Sequence, residues 1–561
     1  MTKRYTFGAK AHESWATQLT LDEPYKGPLV RYVIAAPDGE LVDWQVRCVE
    51  HLTEAGAHAL GIIVAGRNAR RPLSTFWSLA VALAQPRSLK PARDPGTARD
   101  LRHLGPTDTI DAEPIDFVLD FCDDGRAISH ARAIVEKARL GCWRFAFAPS
   151  PAGAPPGAGD MASGREVTEA ALVSCDLSGA TQNVLMRGAL FVERSSLWRE
   201  IDSLMYEVAR WPAHACRRML NAGSSGSSGV IGEPNTLFPA SRQTHGPQGV
   251  LGFIVRLLAS GASAFWRRLF LSSSWNIGVA KAPIESFAKN TQLPEIAWYP
   301  KADVQRFAAD PFGLVVQGKQ VVLCESLFPG SDGTIHSATF DGTTWSKDLE
   351  PALELPFHLS YPYLIERDGE IYCVPEASAS GEIAMYRAAR FPDRWEKLVT
   401  LVPGIGGVDA SIVQVGDTWW MFAGDIDDGP DHKLSIWYAR DPFGPWQPHA
   451  ENPVKIDIRS ARGAGTPFVV DGVLYRPSQD CSQTYGGRVI VNRILKLTPT
   501  EFVEEPASIV NPPLSGPYRF GLHTLSRFGE YTLIDCKQRF VSVSWFVRML
   551  KRPLRALRGS P

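Results

Sequence analysis

Seven side chains that can hold or move a proton stand at the ends of short apolar runs in the second half of this chain. Asp310, Asp409 and His523 open such runs; Glu325, Glu376, Asp480 and Asp535 close them. Carboxylates gathered in one place repel and desolvate one another, so their convergence calls for a ligand. Two of them with different proton affinities can break or form a glycosidic bond. One protonates the leaving oxygen, while the other activates a hydroxyl or attacks directly. A separation of roughly 5 to 5.5 Å favours retention, and roughly 6.5 to 9.5 Å favours inversion.

Convergence requires that the runs share a mouth, and a repeat supplies it. Asp310 to Val316 leads through a glycine turn to Val321–Glu325, and Tyr361 to Ile365 leads to Ile371–Glu376. Asp409 to Val413 leads to Trp419–Ala423, Thr466 to Val470 to Leu474–Arg476, and His523 to Arg527 to Tyr531–Asp535. Each copy is a strand, a tight turn and a second aromatic or β-branched strand. The spacing of roughly 50 to 57 residues, without long helical pattern between copies, predicts radial four-stranded blades. Five copies predict an all-β five-bladed propeller over 274–540. In such a blade, the start of the first strand and the end of the second face the same mouth.

The Ala309-Asp310-Pro311-Phe312 opener resembles the blade-one aspartate of the arabinanase, β-xylosidase and invertase propellers, which acts as base or nucleophile. Val408-Asp409-Ala410-Ser411 resembles their later aspartate, which orients the acid or stabilises the transition state. The resemblance implies a glutamate as general acid, and Glu376 in Val374-Pro375-Glu376 is the candidate. It lies in the second repeat, whereas the resemblance places that glutamate in the fourth blade, which here opens with Gly465-Thr466-Pro467. Trp275-Asn276-Ile277-Gly278, His358-Leu359-Ser360-Tyr361-Pro362, Arg476-Pro477-Ser478-Gln479-Asp480 and Tyr485-Gly486 resemble the N-terminal propeller of plant glucosamine inositolphosphorylceramide transferases. The catalytic candidates are therefore Asp310, Glu376 and Asp409. Tyr361, Arg476, Gln479, Asp480, His523 and Asp535 are the substrate-binding candidates, with a glycan, glycolipid or activated sugar as substrate. A non-catalytic glycan-binding or scaffolding propeller is the alternative.

Ahead of the repeat, residues 1–220 alternate strand and helix patterns: Leu29–Ala36, Trp44–Ala55, His58–Ala65, Ile115–Phe121 and Ile128–Leu140. That alternation predicts a Rossmann-like parallel α/β domain. The layout is similar to that of methionyl-tRNA formyltransferases. Their Asn, His and Asp are missing from Arg144–Ser150 and Leu177–Gln182, so a degenerate domain without formyl transfer is expected. Pro149–Gly164 reads as a loop, and a helix runs through Ser203–Tyr206.

Residues 221–273 combine the Gly/Ser run 222–229, a flexible linker by composition, with an apolar, arginine-bearing segment at 250–271. As a helix, that segment either packs against the propeller or lies in a membrane interface. The basic amphipathic tail 541–561 repeats the pattern, with Trp545, Phe546, Arg548, Lys551, Arg552, Arg555 and Arg558. Two such segments point to peripheral membrane contact through 250–271 and 545–558.

A net charge of -1 gives no electrostatic drive toward nucleic acid, and 44% hydrophobic with 21% charged residues describes a folded 561-residue chain of more than one domain. The nine cysteines are scattered and lack CxxC spacing, which predicts neither a disulfide framework nor a zinc site. Asp427, Asp428 and Asp431 read as a solvated loop rather than a calcium or other metal site. No glycine-rich phosphate loop stands out, so no cofactor is expected. The polar N-terminus predicts no signal peptide, and a cytoplasmic setting is the default expectation.

Overall fold

The computed structural model describes residues 30–541 except 38–39, 66–72, 95, 97–100, 105–113, 123–131, 150–153, 179, 222–248, 302, 304 and 329. The Gly/Ser run and the basic tail lie outside the described residues. The chain forms two compact units, the second starting at Ser263.

The first unit is built on a seven-stranded mixed sheet. Strands β1 (Val30–Ala36), β2 (Ala57–Val64), β3 (His103–Leu104), β4 (Phe117–Asp120), β5 (Cys142–Phe147), β6 (Val167–Cys175) and β7 (Thr181–Phe191) lie in the order β3-β2-β1-β4-β5-β6-β7. The first five pair in parallel, and β5-β6-β7 pair antiparallel. Apolar runs buried on both faces suit this parallel core. An aromatic stack crosses it: Tyr32 on Phe117 at 5.2 Å and Phe117 on Trp143 at 3.8 Å. Its helices are α1 (Asp43–Glu54), α2 (Thr75–Ala84), α3 (Arg132–Val135), α4 (Ala158–Ser163), α5 (Leu197–Val208) and α6 (Trp211–Asn221).

Helix α1 follows its pattern, burying Trp44, Cys48, Val49 and Leu52 at helical spacing. The expected loop at 149–164 instead contains α4, with Ala158, Met161 and Ala162 buried. Glycines at both its ends take left-handed conformations, Gly157 at φ 79° and Gly164 at φ 73°, so the Gly/Ala composition delimits a short helix. Helix α7 (Gly249–Phe270) covers the apolar, arginine-bearing segment. Near its start Phe253 is buried edge-to-face on Trp77 and Phe76 of α2, so this part docks on the α/β unit, a placement outside the two that its sequence suggested.

The second unit is a five-bladed propeller. Strands β8 (Leu271–Ala280) and β9 (Ile296–Trp298) come first in sequence but belong to the last blade. Blade one is β10 (Phe307–Val316), β11 (Lys319–Leu327), β12 (Thr334–Phe340) and β13 (Glu350–Leu353). Blade two is β14 (Ser360–Arg367), β15 (Glu370–Glu376), β16 (Glu382–Arg390) and β17 (Arg394–Pro403). Blade three is β18 (Gly407–Val415), β19 (Thr418–Asp425), β20 (Lys433–Ala439) and β21 (Gln447–Pro448), with β22 (Lys455–Ile456) also on β20. Blade four is β23 (Phe468–Val470), β24 (Val473–Asp480), β25 (Arg488–Thr498) and β26 (Glu501–Val510). Blade five joins β27 (Leu522–Phe528) and β28 (Tyr531–Val541) to β8 and β9, in the order β27-β28-β8-β9.

That last pairing closes the ring. Strand β8 runs antiparallel to β28 from Thr532↔Ala280 to Val541↔Leu271. Closure leaves no open seam between the first and last blades, the problem that any radial sheet array has to solve. All nine cysteines are free and buried, so packing and strand pairing hold the structure without disulfides.

Blade four differs from the others at its start. Its inner strand is short, and Gly465 (φ 113°) makes an isolated parallel bridge to Leu525 of β27. Leu525 N donates to Ala464 O at 2.8 Å, and Thr466 N donates to Leu525 O at 3.0 Å. A Cβ on Gly465 would overlap the Leu525 carbonyl, while Gly472 (φ 78°), in the following turn, has open space around it. Gly465→Ala is expected to cost about 3 kcal/mol or more, and Gly472→Ala about 1 kcal/mol, in denaturant unfolding. Equal costs would show that the bridge does not hold blade four.

Candidate active site

The same irregularity opens four inner strands. In blade one the register jumps from Ala309↔Glu325 to Phe312↔Leu323, so Asp310 and Pro311 face one residue. Blade two jumps from Ser360↔Glu376 to Tyr363↔Val374, and blade three from Val408↔Gly424 to Ser411↔Phe422. Blade five places His523 in the gap between Leu522↔Cys536 and Thr524↔Asp535. These bulges turn the backbone left-handed at Asp310 (φ 50°), Tyr361 (φ 45°) and Asp409 (φ 50°). Non-glycine residues seldom adopt such conformations, and they concentrate at functional sites.

A bulged amide leaves the strand ladder and needs another acceptor. Asp310 N donates to Asp535 Oδ2 of blade five at 2.8 Å, and Asp409 N donates to Glu376 Oε2 of blade two at 3.2 Å. Glu325 and Glu376 hold the same register position in their blades, opposite the residue preceding the bulge. The repeat thus brings Asp310, Glu325, Glu376, Asp409, His523 and Asp535 together, all less than 9% exposed.

Their environments differ. Burial pushes the Asp310 carboxyl up to about 7; Asp535 and Asp409 add to the shift, and His523 opposes it. Burial also raises Glu376 well above the carboxylate range, aided by Asp409. Glu325 is raised likewise, by burial and then by Asp310 and Glu376. Its neighbour His358 accepts from Gly333 N on Nδ1 at 2.9 Å, which leaves Nε2, 3.4 Å from Glu325 Oε1, to carry the proton. Asp409 Oδ2 accepts from Arg462 Nε at 2.7 Å and Gln479 Nε2 at 3.2 Å.

Asp535, His523 and Asp310 form a chain. His523 Nδ1 lies 2.6 Å from Asp535 Oδ1, and its Nε2 lies 3.7 Å from Asp310 Oδ1. Burial disfavours the imidazolium, but Asp535 and Asp310 outweigh it and raise the His523 pKa. These three residues offer ligand atoms within 4.8 Å of one another. The donor set suits a proton better than a cation. Both Asp535 oxygens already accept hydrogen bonds, from His523 Nδ1 and from Asp310 N and Thr524 Oγ1, and a protonated His523 has no lone pair to give.

The ring of His523 stacks on Trp275 at 3.8 Å and meets Tyr485 edge-on at 5.6 Å. Arg462, which the sequence reading missed, joins this group. Its guanidinium lies 4.9 Å from the Tyr485 ring centre, 2.9 Å from Asp431 and 3.9 Å from Glu376 Oε2. It sits in Ala461-Arg462-Gly463-Ala464-Gly465, where a Cβ on Gly463 would lie 2.8 Å from Asp409 O. An arginine among small residues, in place of a blade-opening strand, was the available signal.

Tyr361 occupies the blade-two opener but turns to structural bonding. Its hydroxyl accepts from Gly465 N at 2.7 Å and lies 2.9 Å from Ser411 Oγ and 3.1 Å from Gly465 O. Arg476 does not reach the carboxylate cluster. It is fully buried against Glu504, donates to Ser460 O at 2.6 Å and Ala461 O at 3.1 Å, and so anchors the segment that presents Arg462. Asp480 pairs with Arg488 at 2.8 Å and accepts from Ser482 N, which shapes the turn carrying Tyr485. The acidic loop is partly paired rather than only solvated, since Asp428 meets Lys433 at 2.6 Å and Asp431 meets Arg462.

Fold and site together define a five-bladed propeller with a buried acidic centre. Residues 297–513 match the family described as glucosamine inositolphosphorylceramide transferase 1, N-terminal. The chain is 38% identical over 250 residues to glucosamine inositolphosphorylceramide transferase 1 of Oryza sativa subsp. japonica, which covers 42% of this chain and 31% of the rice protein. It is 38% identical over 217 residues to the Arabidopsis thaliana protein of the same name, covering 36% of this chain and 28% of that one. The chain thus spans about a third of these relatives' length, at 31% and 28%. Among solved structures it is similar to Zg3597, a family 117 glycoside hydrolase of Zobellia galactanivorans (14% identity, TM-score 0.32, 49% of this chain, 92% of that one). It is also similar to a GH43_1 enzyme from Xanthomonas citri (12% identity, TM-score 0.31, 42% of this chain, 88% of that one).

The raised Asp310 carboxyl has a measurable consequence. A carboxyl whose folded pKa lies above its unfolded value binds protons more tightly when folded, so stability falls as pH rises between the two values. Asp310→Asn is therefore expected to unfold at a higher temperature than wild type at about pH 8 and at a similar one at about pH 4. A shift of equal size at both values would mean that Asp310 does not hold the proton.

Proposed function

We propose that the propeller acts at a glycosidic bond, by transfer or hydrolysis, on a glycan or glycolipid bound at its carboxylate cluster. The observation that carries this reading is the convergence of buried carboxyls with different partners: Glu376 accepts from Asp409 N, Asp310 stands beside His523, and Asp409 is tied to Arg462. Burial raises both Glu376 and Asp310, so each can hold a proton where solvated carboxylates do not, as acid and base roles at one site require. In this reading Glu376 protonates the leaving oxygen and Asp310 takes a proton from the attacking hydroxyl or attacks itself. Asp409, tethered by Arg462 and Gln479, faces the positive charge that develops on the sugar. The name of the rice and Arabidopsis relatives makes an inositolphosphorylceramide-type glycolipid a candidate acceptor.

One observation favours binding without turnover: the fourth blade opens on Gly465, whose backbone is bound by Tyr361, where the resemblance calls for a glutamate. Product release or transfer from a panel of pentofuranosides and hexosides, with and without an inositolphosphorylceramide acceptor, separates the two readings. Turnover that falls at least about 100-fold in both Asp310→Asn and Glu376→Gln is expected for the enzyme. Wild-type silence, with sugar binding intact by calorimetry, would assign the propeller to recognition.

A further inference from the structure

Glu325 is the member of the carboxylate cluster with bonding capacity left over. Asp535 accepts from Asp310 N, Glu376 from Asp409 N, Asp409 from Arg462 and Gln479, and Asp310 from Thr524 Oγ1 at 3.1 Å. Glu325 holds the same register position as Glu376, yet no backbone amide among the described residues donates to it. Its close polar neighbour there is His358 Nε2, 3.4 Å from Oε1, which leaves Oε2 uncommitted. Burial raises Glu325, so this carboxyl can give a hydrogen bond as well as accept one.

The surroundings keep that carboxyl within reach of a ligand. A Cβ on Gly333 would lie 2.7 Å from Glu325 Oε1, His358 Cε1 and Leu359 O alike. Gly333 is outside the left-handed region, so space rather than backbone freedom calls for glycine here. Gly333 N donates to His358 Nδ1 at 2.9 Å and Leu359 N donates to Gly333 O at 2.8 Å, a clasp that fixes the imidazole and its tautomer. The His358 side chain is 36% exposed and that of Glu325 10%, so the pair runs from solvent into the centre.

The rim of the same blade adds an aromatic ring. Strands β10 and β11 begin to pair at Phe307↔Leu327, and Glu325 faces Ala309, next to Asp310. Phe328, directly after that first pair, is 49% exposed. Arg306, on the other strand, braces it: the guanidinium lies 5.3 Å from the ring centre, and Nε donates to Ser326 Oγ at 2.8 Å. An exposed ring near fixed polar groups suits a sugar, whose C–H face packs on an aromatic while its hydroxyls take hydrogen bonds.

We infer that blade one carries a second sugar subsite, with Phe328 as its platform and Glu325, oriented by His358, as its hydroxyl-binding group. It rests on the reading that the carboxylate cluster meets a glycan, and it adds that the ligand spans at least two sugar units. One unit occupies the centre among Asp310, Glu376 and Asp409; the next lies along blade one toward the mouth. Glu325 binds this second unit, and His358 is a positioning residue that acts through Glu325.

Calorimetry of the full chain with matched sugars tests it: arabinose and arabinobiose, xylose and xylobiose, mannose and mannobiose, glucose and cellobiose. At least one disaccharide is expected to bind at least about tenfold more tightly than its monosaccharide. Phe328→Ala and His358→Ala are each expected to weaken that disaccharide at least about fivefold, with monosaccharide affinity within about twofold and thermal unfolding unchanged. His358→Gln, whose amide can still donate to Glu325, is expected to recover part of the loss. Equal affinity within every pair, no binding by any of these sugars, or wild-type disaccharide affinity in either alanine variant overturns the inference. Equal losses for monosaccharide and disaccharide also overturn it, because the centre rather than a second subsite would then be affected. The two readings fail separately. Length dependence without turnover leaves this subsite standing and removes the catalytic reading, while turnover without length dependence does the reverse.

Discussion

The amide of Asp310 reaches across the seam between blades one and five to donate to Asp535, and that of Asp409 reaches from blade three to Glu376 of blade two. A strand that opens on a bulge frees an amide from its ladder, and a buried free amide costs about 1 to 3 kcal/mol. The closing carboxylates supply the acceptors. The same groups then stand among one another at the centre of the ring, where burial raises Asp310, Glu325 and Glu376. Blade-to-blade docking and proton chemistry therefore rest on one set of hydrogen bonds.

Blade four shows what happens where the pattern lapses. Without a bulged opener, the chain passes through Ala461–Gly465, and the hydroxyl of Tyr361 satisfies the Gly465 backbone. Arg462 from this segment places a cation between Asp409 and Asp431, close to Glu376. Buried Arg476 fixes the Ser460 and Ala461 carbonyls just before Arg462, with Glu504 held below the usual carboxylate range because Arg476 and Lys455 outweigh its burial. The arginine that faces the site and the one that supports it are only fourteen positions apart, yet only the second stands in a strand.

Much of the propeller was legible because its signals are local. Hairpin turns at Gly318, Gly369, Gly416, Gly472 and Gly529 punctuate alternating strands, and each turn fixes the register of its own pair. Asp310, Asp409 and His523 at strand openings, and Glu376 and Asp535 at strand ends, follow from that register. Arg476 and Asp480 bond to Glu504 and Arg488, partners that their sequence position beside Gln479 near the end of β24 does not disclose, because it does not state where a long side chain points. Successive residues of a strand face opposite ways, and Gln479 alone of the three contacts Asp409.

What the sequence determined by itself is the set of two-strand units, the acidic character of their shared mouth and the amphipathic form of the helix before the first strand. These depend on turn chemistry and side-chain period, which act over a few residues. The tertiary structure alone decided that β8 closes the last blade beside β28, that Arg462 faces Asp409, and that His523 links Asp535 to Asp310. Each joins residues distant in sequence through packing around a closed ring. That geometry exists only when all five blades are in place.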